Sequence, residues 1–454
     1  MEKNRTIIAV SAGQTLYKKQ VNIIRKRIKY LNYGLLGLTT LVNENLPVNI
    51  KMFQANDLTP ENLIQLIENS GISFNECSEI LLSIPSFYSI LWCKQFCSAV
   101  KSISHAKIIA GGRWVVDGNI TWLNEKIGNI DIFIEGFGEK KIVELLGGNA
   151  CNISDGATHC FEKLDYRLLY NYKEYQPCIE VSRGCGAGCN FCADRTNRRL
   201  PNKKVSTITT ELNAIDALYP QYTYYMEAPH FHFASNWVHS LYEEINRRET
   251  LHYWRCTSRV ESVPLDLLQE LSQTGLKVID IGLESASPTQ LMRMGKTMSP
   301  EMYLTQAEKI LETCNKYEIW VKFNLLLYPG ETYKTINETM SWLNSHKSLI
   351  KNVSVSSLIY YRNMGNLNSL IQNGARISHA ELLDELGYLN LDLSDEISYD
   401  TAQKYALTIP RLVSNQKDFY DIKSISYFSP SYSYHNFLDD LKQCNLSELP
   451  FKYL

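Results

Sequence analysis

The stretch Cys178-Ile179-Glu180-Val181-Ser182-Arg183-Gly184-Cys185-Gly186-Ala187-Gly188-Cys189-Asn190-Phe191-Cys192 decides how the chain is read. Its first five residues read as a strand. Three cysteines spaced C-x3-C-x2-C follow at once. Thiolates are soft ligands that favour iron–sulfur clusters, zinc and copper(I), and spacings of two and three residues let one tight loop turn its sulfurs toward one point. Gly184, Gly186 and Gly188 supply the backbone freedom such a wrap needs. An ordinary four-iron cluster takes four cysteines, but the next ones in sequence are Cys178 and Cys256. Three ligands leave one metal position open, which marks a catalytic metal rather than a structural one. From spacing alone, a structural zinc loop or three cysteines close by chance stays open.

Composition bounds the rest. The 454 residues suit about three domains of ordinary size, though a barrel absorbs over 200 residues as one. With 44% apolar and 21% charged residues this is a globular composition. A formal net charge of -2 gives no bulk drive toward nucleic acid or an anionic membrane. The apolar run after Arg5 is too short for a signal peptide or a membrane span. Twelve cysteines without an export signal imply a reducing cytoplasm and metal chemistry rather than disulfides.

Upstream of the cysteines, residues 1–150 alternate strands and helices. Strands are expected at Thr6–Val10, Val48–Phe53, Glu79–Ile84, Ala106–Ala110 and Asp131–Ile134. One helix starts at Pro60 behind the cap Thr59 and another runs near Ser89–Ser102. This pattern predicts a Rossmann-like doubly wound parallel sheet, whose ligands bind outside the carboxyl ends of the strands. Cys93 and Cys97, one helical turn apart, read as buried helix cysteines, and the basic run Arg25–Lys29 as a solvated face. Residues 151–176 read as a linker. From Cys178 the alternation resumes, with strands at Tyr222–Met226, His252–Thr257, Val278–Ile281, Trp320–Leu327 and Val353–Ile359. Six strand–helix units in 177–360 predict a partial (β/α)6 barrel with its chemistry at the strand carboxyl ends. Residues 361–454, mainly helical, are expected to cap the barrel mouth and to bear on substrate choice.

The cysteine triplet with these strand ends resembles the radical S-adenosylmethionine (SAM) superfamily. There three cysteines, here Cys185, Cys189 and Cys192, bind a [4Fe-4S] cluster whose fourth iron is chelated by SAM. The resemblance implies that Glu227, closing the second barrel strand, takes the SAM amino group. Arg259, with Ser258 beside it, would reach the SAM carboxylate. Ile281-Gly282-Leu283-Glu284-Ser285 is similar to the family's Gly-x-Glu-Ser signature, so Glu284 or Ser285 would meet the ribose. Leu291-Met292-Arg293-Met294-Gly295-Lys296 and Tyr328-Pro329-Gly330-Glu331-Thr332 match two further family turns, the second also reading as a helix cap. Ile108–Gly112 and Glu135-Gly136-Phe137-Gly138-Glu139 resemble the cobalamin-binding domain that precedes many such barrels. On that resemblance Ser83, Gly111, Gly112 and Gly136 would face cobalamin. The corrinoid-ligating Asp-x-His-x-x-Gly motif is absent.

The family chemistry so implied is one-electron cleavage of SAM to methionine and a 5′-deoxyadenosyl radical, followed by hydrogen removal from an unactivated position. With cobalamin the expected outcome is methylation of a natural-product or peptide-like substrate. Without it the outcome is dehydrogenation, cyclisation or cross-linking. A non-catalytic iron–sulfur or zinc protein is the reading from another class. An electron donor such as flavodoxin or ferredoxin is the implied partner, with neither nucleic acid nor membrane.

Overall fold

The computed structural model describes residues 5–15, 22–116, 118–365 and 367–453. Its backbone separates into two compact units, one of residues 1–175 with Leu382–Gly387 and one of 176–381 with 388–454.

The first unit carries β1 (Thr6–Ser11), β2 (Asn49–Gln54), β3 (Cys77–Ser83), β4 (Lys107–Gly111) and β5 (Ile132–Phe133). They form one parallel sheet in the order β2-β1-β3-β4-β5. Near-continuous apolar runs such as Ile7-Ile8-Ala9-Val10 and Ile80-Leu81-Leu82 are buried, as a sheet covered on both faces requires. The helix Pro60–Asn69 starts as its sequence predicts, with the Thr59 hydroxyl accepting from the Asn62 amide. Cys93 and Cys97 are wholly buried on the helix Ile90–Ile103.

The stretch 151–176, expected as a linker, instead packs onto this sheet as far as Tyr175, Gln176 belonging to the second unit. Leu169 bridges to Met52 on β2, the Tyr170 amide donates to the Met52 carbonyl (2.8 Å), and Tyr170 stacks on Phe53. Its polar sequence hides apolar anchors, and Ile153, Phe161, Leu164, Tyr166, Leu169 and Tyr175 are buried. A late segment joins the same unit. The Trp122 indole donates to the Asp384 carbonyl (2.8 Å), and Gly387 lies so close to Phe87 and Trp122 that a side chain there would collide with both.

The second unit carries β6 (Cys178–Glu180), β7 (Tyr224–Glu227), β8 (Trp254–Arg259), β9 (Leu276–Glu284), β10 (Trp320–Leu327) and β11 (Asn352–Ser357). All are parallel, in the order β11-β10-β9-β8-β7-β6. Among the described residues β6 and β11 do not pair, so the barrel is partial. A small antiparallel pair follows, β12 (Ile359–Tyr361) with β13 (Tyr388–Asn390).

The inner side of this sheet holds charge. Arg255, wholly buried, donates through Nε and Nη2 to Asp280 Oδ2 (3.0 and 2.6 Å) and through Nη1 to the carbonyls of Ile422 (2.7 Å) and Ile425 (2.8 Å). Lys322 donates to the other Asp280 oxygen (2.7 Å), and Tyr427 lies 4.3 Å under the guanidinium. Two cations on one carboxylate hold the Asp280 carboxyl down at about 2 despite its burial.

The C-terminal segment does not simply cap the mouth. Gln176, Thr223 and Lys351 lie one or two residues before β6, β7 and β11. They bond respectively to the Phe428 carbonyl (3.0 Å), to the Ser424 carbonyl and Ser426 amide (3.2 and 2.8 Å), and to Asp418 and Asp421 (2.7 and 3.0 Å). The helix Gln416–Ser424 and the turn after it therefore form a floor at the amino ends of the strands. Only the earlier part reaches the carboxyl ends, where the Leu393 carbonyl accepts from the Gly330 amide (2.6 Å) beyond β10. Tyr427–Tyr434 belongs to the floor's aromatic packing, with Phe428 buried against Tyr420, Tyr432 and Phe437.

Candidate active site

The cysteine loop leaves the carboxyl end of β6 in the conformation its glycines predict. Gly184, Gly186 and Gly188 take φ of +71°, +67° and +75°, a region that side chains other than glycine's enter at a cost. Gly184 also packs against the Arg198 carbonyl with no room for a Cβ. The Cys185 amide donates to the Asn197 carbonyl (3.0 Å), closing the loop at its far end. Asn190, between the second and third cysteines, is clamped from both sides. Its amide donates to the Met294 carbonyl (2.9 Å) and its Nδ2 to the Arg293 carbonyl (3.0 Å). The Leu-x-x-Met-x-Lys stretch is thus the wall against which the cysteine loop is built.

Cys189 is buried, and its Sγ accepts from Arg259 Nη1 at 2.9 Å. Burial raises the Cys192 thiol; the Asp194 amide opposes that, while the charges of Asp194, Cys185 and Cys189 add to it. Burial thus works against a Cys192 thiolate, and a bound metal would supply the opposing charge, since coordination deprotonates a thiol outright. Among the described residues no three His, Cys, Asp or Glu side chains are gathered around a single-ion position. A cubane instead gives each thiolate its own iron, and three thiol donors on one glycine-shaped loop beside a guanidinium fit that group.

The other strand ends divide. Glu227 ends β7 pointing to the inner side, where burial raises its carboxyl to about 8, Arg255 working against and Glu180 and Asp280 with the rise. Arg259 ends β8 on the inner side, between Cys189, Glu261 (3.0 Å) and the Lys296 carbonyl (3.3 Å). Ser258 alternates to the outer face, where its hydroxyl donates to the Phe231 carbonyl (3.0 Å), so the expected role beside SAM does not fit it. Glu284 ends β9 with φ +67°, after a register shift opposite Asn324 and Leu325. A bulge with a left-handed non-glycine residue is strain of the kind that gathers at functional sites. It turns the Glu284 carboxylate to Lys296 Nζ (3.3 Å), over Gly282, where a Cβ would lie 2.5 Å from Glu284 Oε1. Ser285 is buried instead in structural bonds, to Thr339 Oγ1 (3.1 Å) and from the Ser287 amide (3.0 Å). The Pro-Gly-Glu-Thr turn caps the helix Tyr333–His346 through a Thr332–Thr335 capping box.

Lys296 was legible only as part of a signature, without a role. Tyr303, whose hydroxyl donates to the Gly282 carbonyl (2.9 Å), gave no local signal, because its helix follows the strand it braces.

In the first unit, the positions expected to face cobalamin are unequal. The topological switch point lies between β1 and β3. There Asn32 Nδ2 donates to both Ser11 Oγ (2.9 Å) and Ser83 Oγ (3.1 Å). Gly112, φ +122°, packs on the Ile84 backbone, while Gly111 makes ordinary contact with Ile134. Gly136, φ +69°, is exposed and has nothing within 4 Å of the place a Cβ would occupy.

Residues 179–343 match the radical SAM superfamily. The chain carries a radical SAM domain. That domain implies a [4Fe-4S] cluster and SAM as cofactors. No curated protein matches the chain in sequence. Among solved structures, the radical SAM methyltransferase TsrM from Kitasatospora setae, with cobalamin and a [4Fe-4S] cluster bound, is similar at 14% identity. Its TM-score is 0.56, over 78% of this chain and 72% of that one. The cobalamin-dependent SAM radical enzyme OxsB with aqua-cobalamin bound is similar at 15% identity and a TM-score of 0.54, over 81% of this chain and 55% of that one. These likenesses extend the shared fold beyond the radical SAM domain. No described helix is long and apolar enough to cross a membrane.

Proposed function

We propose that this radical SAM enzyme methylates an unactivated position of a small-molecule or peptide substrate with the help of cobalamin. The observation that carries the radical chemistry is the glycine-shaped cysteine loop at the carboxyl end of β6, with Arg259 donating to Cys189 Sγ. When bound, the cluster supplies the electron that cleaves SAM. In this reading Glu227 holds the SAM amino group, Arg259 its carboxylate, and Glu284, braced by Lys296, the ribose. Cobalamin rests on the β2-β1-β3-β4-β5 sheet, the exposed Gly136 loop and the folds of TsrM and OxsB. A flavodoxin or ferredoxin is the proposed electron source.

The experiment is anaerobic reconstitution with iron, sulfide and cobalamin, then incubation with methyl-labelled SAM and dithionite. Formation of 5′-deoxyadenosine with about one cobalamin per chain supports the proposal. A fully loaded cluster that yields no 5′-deoxyadenosine overturns it. A cobalamin-free enzyme performing oxidation or cyclisation has one observation in its favour, the Asn32 amide that occupies Ser11 and Ser83 at the switch point. A cobalamin ratio near zero with active SAM cleavage selects that reading.

A further inference from the structure

The interior of a filled parallel barrel is stacked with bulky side chains. Here one inner layer is closed and the next is not. Arg255, Asp280 and Lys322 form the closed layer, all three buried and paired with one another. Toward the carboxyl ends, Arg259, Gly282, Asn324 and Ser354 then lie side by side across β8, β9, β10 and β11. Leu326 and Ser356 are the following inner pair on the last two strands. Asn324 shares the side of Lys322, whose Nζ donates to Asn324 Oδ1 (3.0 Å). Alternation and pairing put Leu326, Ser354 and Ser356 on that side too. These four residues are half-buried, whereas Val321, Phe323, Leu325, Val353 and Val355 on the opposite side are buried. An ammonium only donates, so Lys322 fixes Oδ1 toward itself and turns the Asn324 Nδ2 away. Among the described residues neither that Nδ2 nor the Ser354 and Ser356 hydroxyls have a hydrogen-bond partner. The neighbouring charges are already engaged, Lys322 with Asp280 (2.7 Å) and Lys296 with Glu284 (3.3 Å). Above its ionic floor the lumen is therefore open on this side, and what it offers is uncharged.

We propose that Asn324, Ser354 and Ser356 seat an amide group of the substrate, an inference that rests on the radical SAM reading above. Asn324 Nδ2 donates to the amide carbonyl, a serine hydroxyl accepts from its N–H, and Leu326 lies against the adjoining carbon chain. A few placed polar groups of this kind fix a ligand's orientation in a pocket. The residues proposed for SAM, Glu227, Arg259 and Glu284, stand on β7, β8 and β9. The seat, on β10 and β11, adjoins that place without sharing a side chain with it.

Saturation-transfer NMR on the cluster-loaded enzyme, without and with saturating SAM, tests the seat. The probes are N-acetylalanine N-methylamide, a peptide unit, and 2-pyrrolidinone, a lactam. Methyl acetate, which has no N–H, is the control. Transfer from the capped alanine alone supports the seat with a peptide as source, and transfer from the lactam supports it with a small cyclic amide. Transfer from neither, or an equal signal from methyl acetate, overturns the proposal. The amide signal should fall about fivefold or more in Asn324→Asp, which keeps the contact with Lys322 and loses the Nδ2 donors. In the double variant Ser354→Ala, Ser356→Ala it should fall about threefold. Equal signals in wild type and Asn324→Asp overturn the seat. If Asn324→Asp does not load its cluster, the double serine variant takes its place, an unchanged signal again overturning it. The signal should persist when SAM is added, and displacement by SAM overturns the assignment to substrate. Failure of the radical SAM reading shows separately, as wild-type enzyme that binds the amide but forms no 5′-deoxyadenosine with dithionite.

Discussion

Glu227 and Asp280 lie on the same inner side of one sheet, yet their surroundings drive them in opposite directions. Asp280 touches two cations and stays ionised to a pH of about 2. Its folded pKa lies below the unfolded value near 3.9. It therefore contributes stability above that value, on the order of 2 kcal/mol, which is lost as pH falls toward 2. Asp280→Asn leaves Arg255 and Lys322 buried without an anion and should cost about 3–5 kcal/mol, read as a lowered urea midpoint. Among the described residues no cation is paired with Glu227, and burial raises its carboxyl to about 8. Its folded pKa exceeds the unfolded one, so stability is full below the unfolded value and declines as pH rises toward 8. In the role proposed for it, Glu227 must ionise to meet the SAM amino group, so binding tightens with pH. SAM affinity by equilibrium dialysis should rise up to about tenfold per pH unit between 6.5 and 8, then level off. In Glu227→Gln the profile should be flat.

At the scale of the elements, the cysteine loop is a backbone device more than a set of side chains. Gly184→Ala adds a Cβ against the Arg198 carbonyl at a φ of +71°. Iron bound after reconstitution should drop to less than about a fifth of wild type, with the far-ultraviolet circular dichroism unchanged. Gly282→Ala displaces the Glu284–Lys296 pair and should weaken SAM binding about tenfold or more while leaving the iron content intact. Period and punctuation made the loop and both parallel sheets legible in the sequence, because apolar strand runs, glycines and caps are local signals. Alternation was legible too, and applied at Thr257-Ser258-Arg259 it separates Arg259 from Ser258, since neighbours on a strand face opposite ways. The bulge that turns Glu284 was not legible: it is a register shift between β9 and β10, set by partners far apart in sequence. Nor was Asn32, whose amide caps its own helix and crosses to two strand ends at once.

Across the whole molecule, the segment least legible in sequence is the one that closes the barrel's amino end. Residues 416–428 carry no motif, but their carbonyls take Arg255 and their acids take Lys351. Deleting residues 416–454 takes away the carbonyls that hold Arg255 and uncovers the apolar surface of Val278 and Trp320 against which Ile422 and Ile425 pack. The truncated chain should be recovered almost wholly as insoluble protein, measured as the soluble fraction against wild type. The six residues Leu382–Gly387 belong to the first unit although more than 200 residues separate them from the rest of it. A chain emerging from the ribosome therefore makes the five strands of its first sheet early and waits for the piece that covers Phe87 and Trp122. During that interval two large aromatic rings stay available to chaperones or to neighbouring nascent chains, and the first unit reaches its final form only after most of the second has been translated.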